Sequence, residues 1–415
     1  MKILYIHQYF KTREGFSSTR SLEFAKLFVE RGHQVTMLTS DAHLRNSKLK
    51  ITKKGLITKE YYVEGIHVIA IKNNYSNYMG PIRRIRAFLM FMILSTFKGM
   101  YLNKHDIIYA TSTPLTIGIP ALIINKIRRT PYVFEVRDLW PEAPIQMGVI
   151  KNKLIIKFLK KFERLIYQKA EHIVTLSPGM TKGVLKTGEE EKKVTMIPNS
   201  CDLELFNETN GSLKELNLDS RIFDNNYFSL IHPGSMGKAN GLRYILEAAK
   251  ILKHRMEDDV IFILTGDGKT RPFLEDFCSA NDLNNVIFTG NIPKEKMPAL
   301  LSHIDITITS FKNVPILATN SPNKFFDSLA AGKPSIVNSN GWTKDLVEKN
   351  NCGFYVDPEN PEDLASLVSN IKNDRINLEK MGRNARALAE NNFDRKKLFF
   401  QLEQVLLNVK KLSKR

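Results

Sequence analysis

Residues 305–337 read DITITSFKNVPILATNSPNKFFDSLAAGKPSIV, and this stretch carries an unusually full set of start and stop signals. Ile304 to Thr309 alternates apolar with polar at period two, the pattern of a strand, whereas Phe325, Phe326, Leu329 and Ala330 recur at helical spacing. Ser321 is expected as the N-cap, Pro322 as the first helical residue, Gly332 as the C-terminal stop and Pro334 as the barrier beyond it. A helix is therefore predicted straight after a loop, between two strands.

A helix start that follows a strand gathers free backbone N–H groups and the positive end of the peptide dipole, which together make an anion site. Asn323 and Asp327 share a helix face, and Lys324 adds a mobile cation beside the same turn. A carboxylate one turn deeper can accept hydrogen bonds from vicinal hydroxyls. The set suits a nucleoside diphosphate, with phosphates at Ser321, Asn323 and Lys324 and a ribose at Asp327. An ordinary helix of an α/β domain could carry the same punctuation, so the rest of the chain has to decide.

The stretch resembles the donor-site signature of family 4 glycosyltransferases with the GT-B fold, and SPNKFFD is closest to the fucosamine-transferase-like enzymes of bacterial O-antigen, capsule and exopolysaccharide synthesis. Asp327 falls where the family's second glutamate stands, and Thr319 replaces the first. The resemblance implies an α/β chain of two Rossmann-like domains facing across a cleft. Residues 1–206 are expected as the acceptor-binding domain, 207–226 as a linker rich in turn signals, 227–393 as the nucleotide-sugar-binding domain and 394–415 as a helix crossing back to the first domain.

Bulk properties agree with two globular domains. The 415 residues suffice for two cores, and 43% hydrophobic with 25% charged residues argues against disorder. Cys201, Cys278 and Cys352 are far apart and odd in number, which suggests neither a disulfide framework nor a zinc site and fits a reducing cytoplasm. The start, MKILYIHQYF, has no sustained apolar core or cleavage site and reads as a strand rather than a signal peptide. Ile107 to Asn125 is uncharged, but Pro114 and Pro120 among Ser and Thr favour a buried strand followed by a helix over a membrane span.

The net charge of +18 is lopsided: residues 1–200 hold 33 Lys and Arg against 15 Asp and Glu, whereas residues 201–415 hold 28 of each. The first half should face something anionic. Two basic apolar stretches, Arg83–Lys98 and Lys151–Lys169, could lie on an anionic membrane surface, with Phe88, Phe91 and Leu94 of the first in the acyl boundary. A core helix is the competing reading of the first stretch. Nucleic acid is disfavoured because the basic residues alternate with aliphatic ones and no recognisable module is present.

Four further stretches supply candidates. The loop HQYFKTREGFSSTR offers Gly15 for close approach to a phosphate and Ser17, Ser18 and Arg20 for the acceptor side, unless it is simply solvated. YVFEVRDLWPEAP resembles the region where many family 4 enzymes have a histidine and an aspartate near the reacting sugar, with Arg137 in the histidine's place, Asp138 in the aspartate's and Glu142 expected near the acceptor; an ion pair between Arg137 and one of these acids is the plainer alternative. In PGSMGKANG, beside Gly234, the resemblance puts Ser235 and Asn240 where the family has an arginine and a lysine, so Lys238 is the cation left to clamp phosphate. The turn NIPKEKM resembles the base-reading turn, with backbone groups at Asn291 and Ile292. Gly266-Asp267-Gly268 is not a G-x-G-x-x-G fingerprint and carries little information alone.

The activity implied is retaining transfer of a sugar, an N-acetylated deoxy-hexosamine among the candidates, from a UDP-sugar to a polyprenyl-diphosphate-linked saccharide. Arg137, Asp138 and Thr319 are the candidate catalytic positions. No cofactor or metal is expected, and the sequence has no D-x-D motif. The expected location is the cytoplasmic, inner face of a plasma membrane, peripherally bound. A sugar-nucleotide epimerase and a non-catalytic sugar-nucleotide-binding protein are the alternatives.

Overall fold

The computed structural model describes residues 1–13, 19–45, 49–76, 79–207 and 213–413. The chain divides into two compact units, Met1–Pro198 with Lys396–Arg415, and Asn199–Arg395.

The first unit is built on β1 (Lys2–Ile6), β2 (Gln34–Ser40), β3 (Lys53–Lys54), β4 (Thr58–Val63), β5 (Ile66–Ile71), β6 (Ile107–Thr111), β7 (Tyr132–Val136), β8 (His172–Thr175) and β9 (Val194–Met196). Their order in the sheet is β3-β4-β5-β2-β1-β6-β7-β8-β9, and only the pairings of β4 are antiparallel. Central parallel strands are covered on both faces, which is why β6 and β7 are buried at every position. Sheet order reverses at β1, so the carboxyl ends of β1 and β6 form a topological switch point, where ligands of such sheets bind. The helix Arg395–Leu412 closes this unit. Its Leu398, Phe399, Leu402, Leu406 and Val409 are buried with Phe24 and Phe28, and the Phe28 and Phe399 rings meet edge to face at 4.7 Å. Glu403 then accepts from Arg31 and His33.

The helix Pro81–Tyr101 corrects one expectation. Phe91 is buried, and the apolar side chains left in solvent are Ile82, Ile85, Leu89, Met90, Ile93 and Phe97. Sequence alone could not choose the face, because apolar residues surround the helix almost completely. Among the described residues no helix is long and apolar enough to cross a membrane.

The second unit carries β10 (Phe228–Pro233), β11 (Val260–Thr265), β12 (Val286–Gly290), β13 (Ile306–Thr309), β14 (Ser335–Val337) and β15 (Gly353–Tyr355), all parallel, in the order β12-β11-β10-β13-β14-β15. Its switch point lies between β10 and β13. Phe325, Phe326 and Leu329 anchor the helix Asn323–Ala330 in the core beside Trp342 and Phe393, which fixes where that helix starts. The expected linker 207–226 is corrected in its described part. The units divide at Pro198, and residues on both sides of 208–212 belong to the second unit. Phe206 and Ile222 are buried in the same core as Ile261 and Leu301, so two apolar anchors pin a polar, turn-rich stretch.

Candidate functional site

The carboxyl end of β10 enters the glycine-rich loop. Gly234 N–H donates to the Thr265 carbonyl at 2.9 Å, and Met236 N–H donates to the Asp267 carbonyl at 3.0 Å. Gly266 has φ +115°, and a Cβ there would collide with the Gly234 carbonyl; one on Gly268 would stand 2.5 Å from the Met236 carbonyl oxygen. The Gly266-Asp267-Gly268 turn, uninformative in sequence, is thus the floor of the glycine-rich loop. Only glycine permits that left-handed backbone and that approach.

Lys324 reaches into this loop from the neighbouring helix. His232 Nδ1 lies 3.1 Å from the Ile308 carbonyl oxygen, which can only accept, so Nδ1 carries the proton and Nε2 presents a lone pair. Lys324 Nζ donates to that Nε2 at 3.0 Å and to Asn240 Oδ1 at 3.0 Å, while Asn240 Nδ2 donates to the Ser235 carbonyl at 2.7 Å. A Cβ on Gly234 would stand 3.1 Å from Nζ, and the Phe311 ring centroid is 5.5 Å away. These neighbours are all uncharged. Burial pushes the Lys324 ammonium down to about 7, and burial together with the adjacent ammonium keeps His232 well below its usual range. Ser235 and Lys238 are exposed on the same loop.

The helix Asn323–Ala330 begins with Pro322 in extended backbone at the N-cap, and no side chain caps it. Ser321 is therefore not the cap, and Pro322 is not its first residue. The Ser321 hydroxyl instead accepts from Asn199 N–H at 3.2 Å and its carbonyl from Asn199 Nδ2 at 2.5 Å. Those bonds fix the loop and leave the first-turn N–H groups without a competing hydroxyl, the condition an anion needs. One turn on, Asp327 is ion-paired with Lys294, whose ammonium lies 5.4 Å from the Phe206 ring centroid. Lys294 follows the turn at Asn291, which is exposed, and Ile292, which is buried in the core. Thr319 closes the 3-10 turn Pro315–Thr319, and its hydroxyl donates to the Ile316 carbonyl at 2.7 Å. A close approach by Gly341 and a 2.7 Å hydrogen bond from Trp342 Nε1 to the Asn320 carbonyl hold this turn in place.

In the first unit, Asp138 accepts from Thr113 Oγ1 at 2.6 Å, and burial raises its carboxyl above the usual range against the pull of Arg137. Arg137 N–H donates to Ser112 Oγ at 3.0 Å, and its Nη1 faces His7 Nε2 at 3.5 Å. Arg20 corrects the acceptor-side expectation. It is buried and bound to Glu135 at 2.8 Å, with further bonds to the Ile197 and Pro198 carbonyls at 3.0 and 2.6 Å. A guanidinium with four of its five N–H donors so committed is a structural tie rather than a ligand residue. The Glu142 carboxylate, at the start of the helix Glu142–Gln146, accepts from Gln146 at 2.8 Å and pairs with Lys160 at 3.3 Å. Gly15, Ser17 and Ser18 lie outside the described residues. Among the described residues no three His, Cys, Asp or Glu side chains are grouped to hold a metal ion.

Two family models cover most of the chain: residues 17–200 match the one described as glycosyl transferase 4-like domain, and residues 214–388 the one described as glycosyl transferases group 1. The chain belongs to the GT-B glycosyltransferases. It is 25% identical over 253 residues, 60% of its length, to an uncharacterised glycosyltransferase of Methanocaldococcus jannaschii, and the match spans 61% of that protein. It is 28% identical over 244 residues, 58% of each chain, to a Bacillus subtilis glycosyltransferase provisionally assigned to teichuronic acid biosynthesis. The matches thus span about three fifths of these relatives' length. The solved structure of Anabaena Alr3699/HepE, in complex with UDP and glucose, superposes over 98% of this chain and 99% of its own with a TM-score of 0.71 at 19% identity. That likeness bears on the fold, two α/β domains with parallel sheets.

Proposed function

We propose that this GT-B glycosyltransferase moves a sugar, with retention of configuration, from a UDP-sugar to a saccharide carried on a polyprenyl diphosphate, in bacterial surface-polysaccharide synthesis of the fucosamine-transferase-like kind. The observation that carries the reading is the Lys324 ammonium, enclosed by Gly234, His232 and Asn240 at the uncapped start of the Asn323–Ala330 helix, with Asp327 one turn on. A diphosphate entering there gains the ammonium, the helix N–H groups and the exposed Lys238, and a ribose hydroxyl meets Asp327. The UDP and glucose complexed with HepE support a uridine nucleotide as donor.

In the proposed step the anomeric carbon's bond to the phosphate oxygen breaks, its electrons leave with the diphosphate, and the acceptor hydroxyl oxygen bonds to the same face of that carbon. The departing phosphate takes the hydroxyl's proton. Lys324 and the helix dipole stabilise the charge that grows on the leaving group, so no resident metal is invoked. Asp138 orients the acceptor hydroxyl, Arg137 holds charge beside it, and Thr319 supports the donor loop.

Membrane association is part of the same reading. The helices Pro81–Tyr101 and Lys153–Lys169 expose Ile82, Ile85, Leu89 and Leu154, Ile155, Phe158 next to Arg83, Arg86, Lys157 and Lys161. Such a mixture suits the headgroup plane of an anionic bilayer. Flotation with anionic but not neutral vesicles is expected, and equal recovery with both removes this element.

Thermal shift with a panel of nucleotide sugars, followed by transfer assays on lipid-linked acceptors, tests the whole. One UDP-sugar should raise Tm most and be consumed only with acceptor. Isomerised sugar nucleotide without acceptor would make the chain an epimerase, and binding without turnover a non-catalytic binder.

A further inference from the structure

A ribose that meets Asp327 also meets the cation paired with it, Lys294. The two side chains come from different elements of the second unit. Asp327 stands one turn into the helix Asn323–Ala330, and Lys294 opens the 3-10 turn Lys294–Lys296, which follows β12. One core anchors both. Ile292 and Met297 flank Lys294, Phe325 and Phe326 precede Asp327, and all four are buried together. Packing on both sides therefore sets the ammonium against the carboxylate before any nucleotide arrives.

The pair is not closed on itself. The ammonium contacts Asp327 Oδ2 and lies over the Phe206 ring, 5.4 Å from its centroid. Phe206 is buried in the same core, and the face of its ring attracts a cation without tying up individual N–H groups. Among the described residues neither side chain has another hydrogen-bond partner. An ammonium has three donors and a carboxylate two acceptor oxygens, so donors on Lys294 and Oδ1 of Asp327 are left unengaged. With the side chains 14% and 18% exposed, that open side can be reached from solvent.

An ion pair of this kind gives a fold little net stability, because the attraction is offset by lost hydration. What its open side does match is a vicinal diol: one hydroxyl donates to the carboxylate, and the oxygen of its neighbour accepts from the ammonium. The pair lies one helical turn, about 5.4 Å, beyond the uncapped helix start and Lys324. In a nucleoside diphosphate whose phosphates sit at that start, the ribose carries such a diol.

We propose that Lys294 is a specificity-determining residue of the donor site, which with Asp327 grips both ribose hydroxyls, so that ribonucleotides are taken over deoxyribonucleotides. Asp327 accepts from one hydroxyl, and Lys294 donates to the oxygen of the other. The inference rests on the donor reading above, which puts the ribose at Asp327.

Titration calorimetry of the full chain with UDP, 2′-deoxy-UDP and 3′-deoxy-UDP tests it. The parent should bind UDP about tenfold more tightly than either deoxy nucleotide. Lys294→Met should weaken UDP about tenfold and erase the one preference that Asp327→Ala spares, while keeping the other. Lys294→Arg, which retains a cation with N–H donors, should keep both preferences. If all three nucleotides weaken alike in Lys294→Met, the ammonium serves the fold or the base, and the proposal is overturned. Parent-like selectivity in that variant overturns it too. Loss of both preferences together would mean that Lys294 only orients Asp327, and it rules out the shared grip. A parent that binds UDP without distinguishing the deoxy nucleotides overturns this inference and leaves the phosphate cradle standing, whereas a parent that does not bind UDP overturns the donor reading and this inference with it.

Discussion

Replacing Lys324 by methionine keeps the aliphatic stem and removes the ammonium that the glycine-rich loop encloses. A hydrogen bond to a charged group contributes about 1.5–3 kcal/mol, and about 1.4 kcal/mol is a decade of affinity, so UDP should bind roughly ten- to a hundredfold more weakly. The same residue gives a pH signature. Burial holds the ammonium at about 7 in the free protein, and a bound diphosphate favours the charged form, raising the value in the complex. Affinity is therefore full below about 7 and lost as pH rises above it, approaching a decade per unit, with one proton taken up per nucleotide. The assay is titration calorimetry with UDP from pH 6 to 9 in two buffers of different ionisation enthalpy. Lys324→Arg should bind with a flat profile over that range. Placing the cation on the loop, as Asn240→Lys in the Lys324→Met background, should recover part of the affinity. Parent-like affinity in Lys324→Met, or a pH slope that persists in it, refutes the reasoning.

Asp327→Ala should weaken UDP about tenfold and abolish the preference for UDP over 2′-deoxy-UDP, measured by the same titration. Gly266→Ala forces a side chain onto a φ of +115° and against the Gly234 carbonyl, costing about 1–3 kcal/mol. Its calorimetric Tm should fall, and UDP affinity with it. Arg20→Met strands the Glu135 carboxylate in the core and should destabilise the first unit by about 3–5 kcal/mol in urea unfolding, whereas the pair Arg20→Met with Glu135→Leu should regain much of the loss. Phe399→Ala should cost that unit about 3–5 kcal/mol while leaving UDP affinity unchanged.

What could be read from sequence was whatever a local pattern encodes. Ile306 to Thr309 and Phe325 to Ala330 have one period each, and the structure has a strand and a helix there. The cradle was less legible because its members meet only in the fold. Lys324 is 92 positions from His232 and 84 from Asn240, so the sequence places its cation beside the helix start but does not show that it meets the glycine-rich loop. Arg20 failed as a ligand residue for the same reason, since Glu135 is 115 positions away. Ser321 matched the helix-cap pattern, yet its hydroxyl is taken by Asn199, 122 positions earlier. Polar composition also misled between Phe206 and Ile222, where two apolar side chains outweigh the turn residues around them.

The helix that closes the first unit sets a timetable for the newborn chain. Arg31 meets Glu403 across 372 positions, an interval of tens of seconds at about 5–20 residues per second of synthesis. Through that interval Phe24 and Phe28 have no Phe399 to cover them, although most of the nine-stranded sheet has already emerged from the ribosome. A released chain that stops at residue 395 should thus display a sticky, chaperone-attracting first unit, and one that runs on through residue 412 should not.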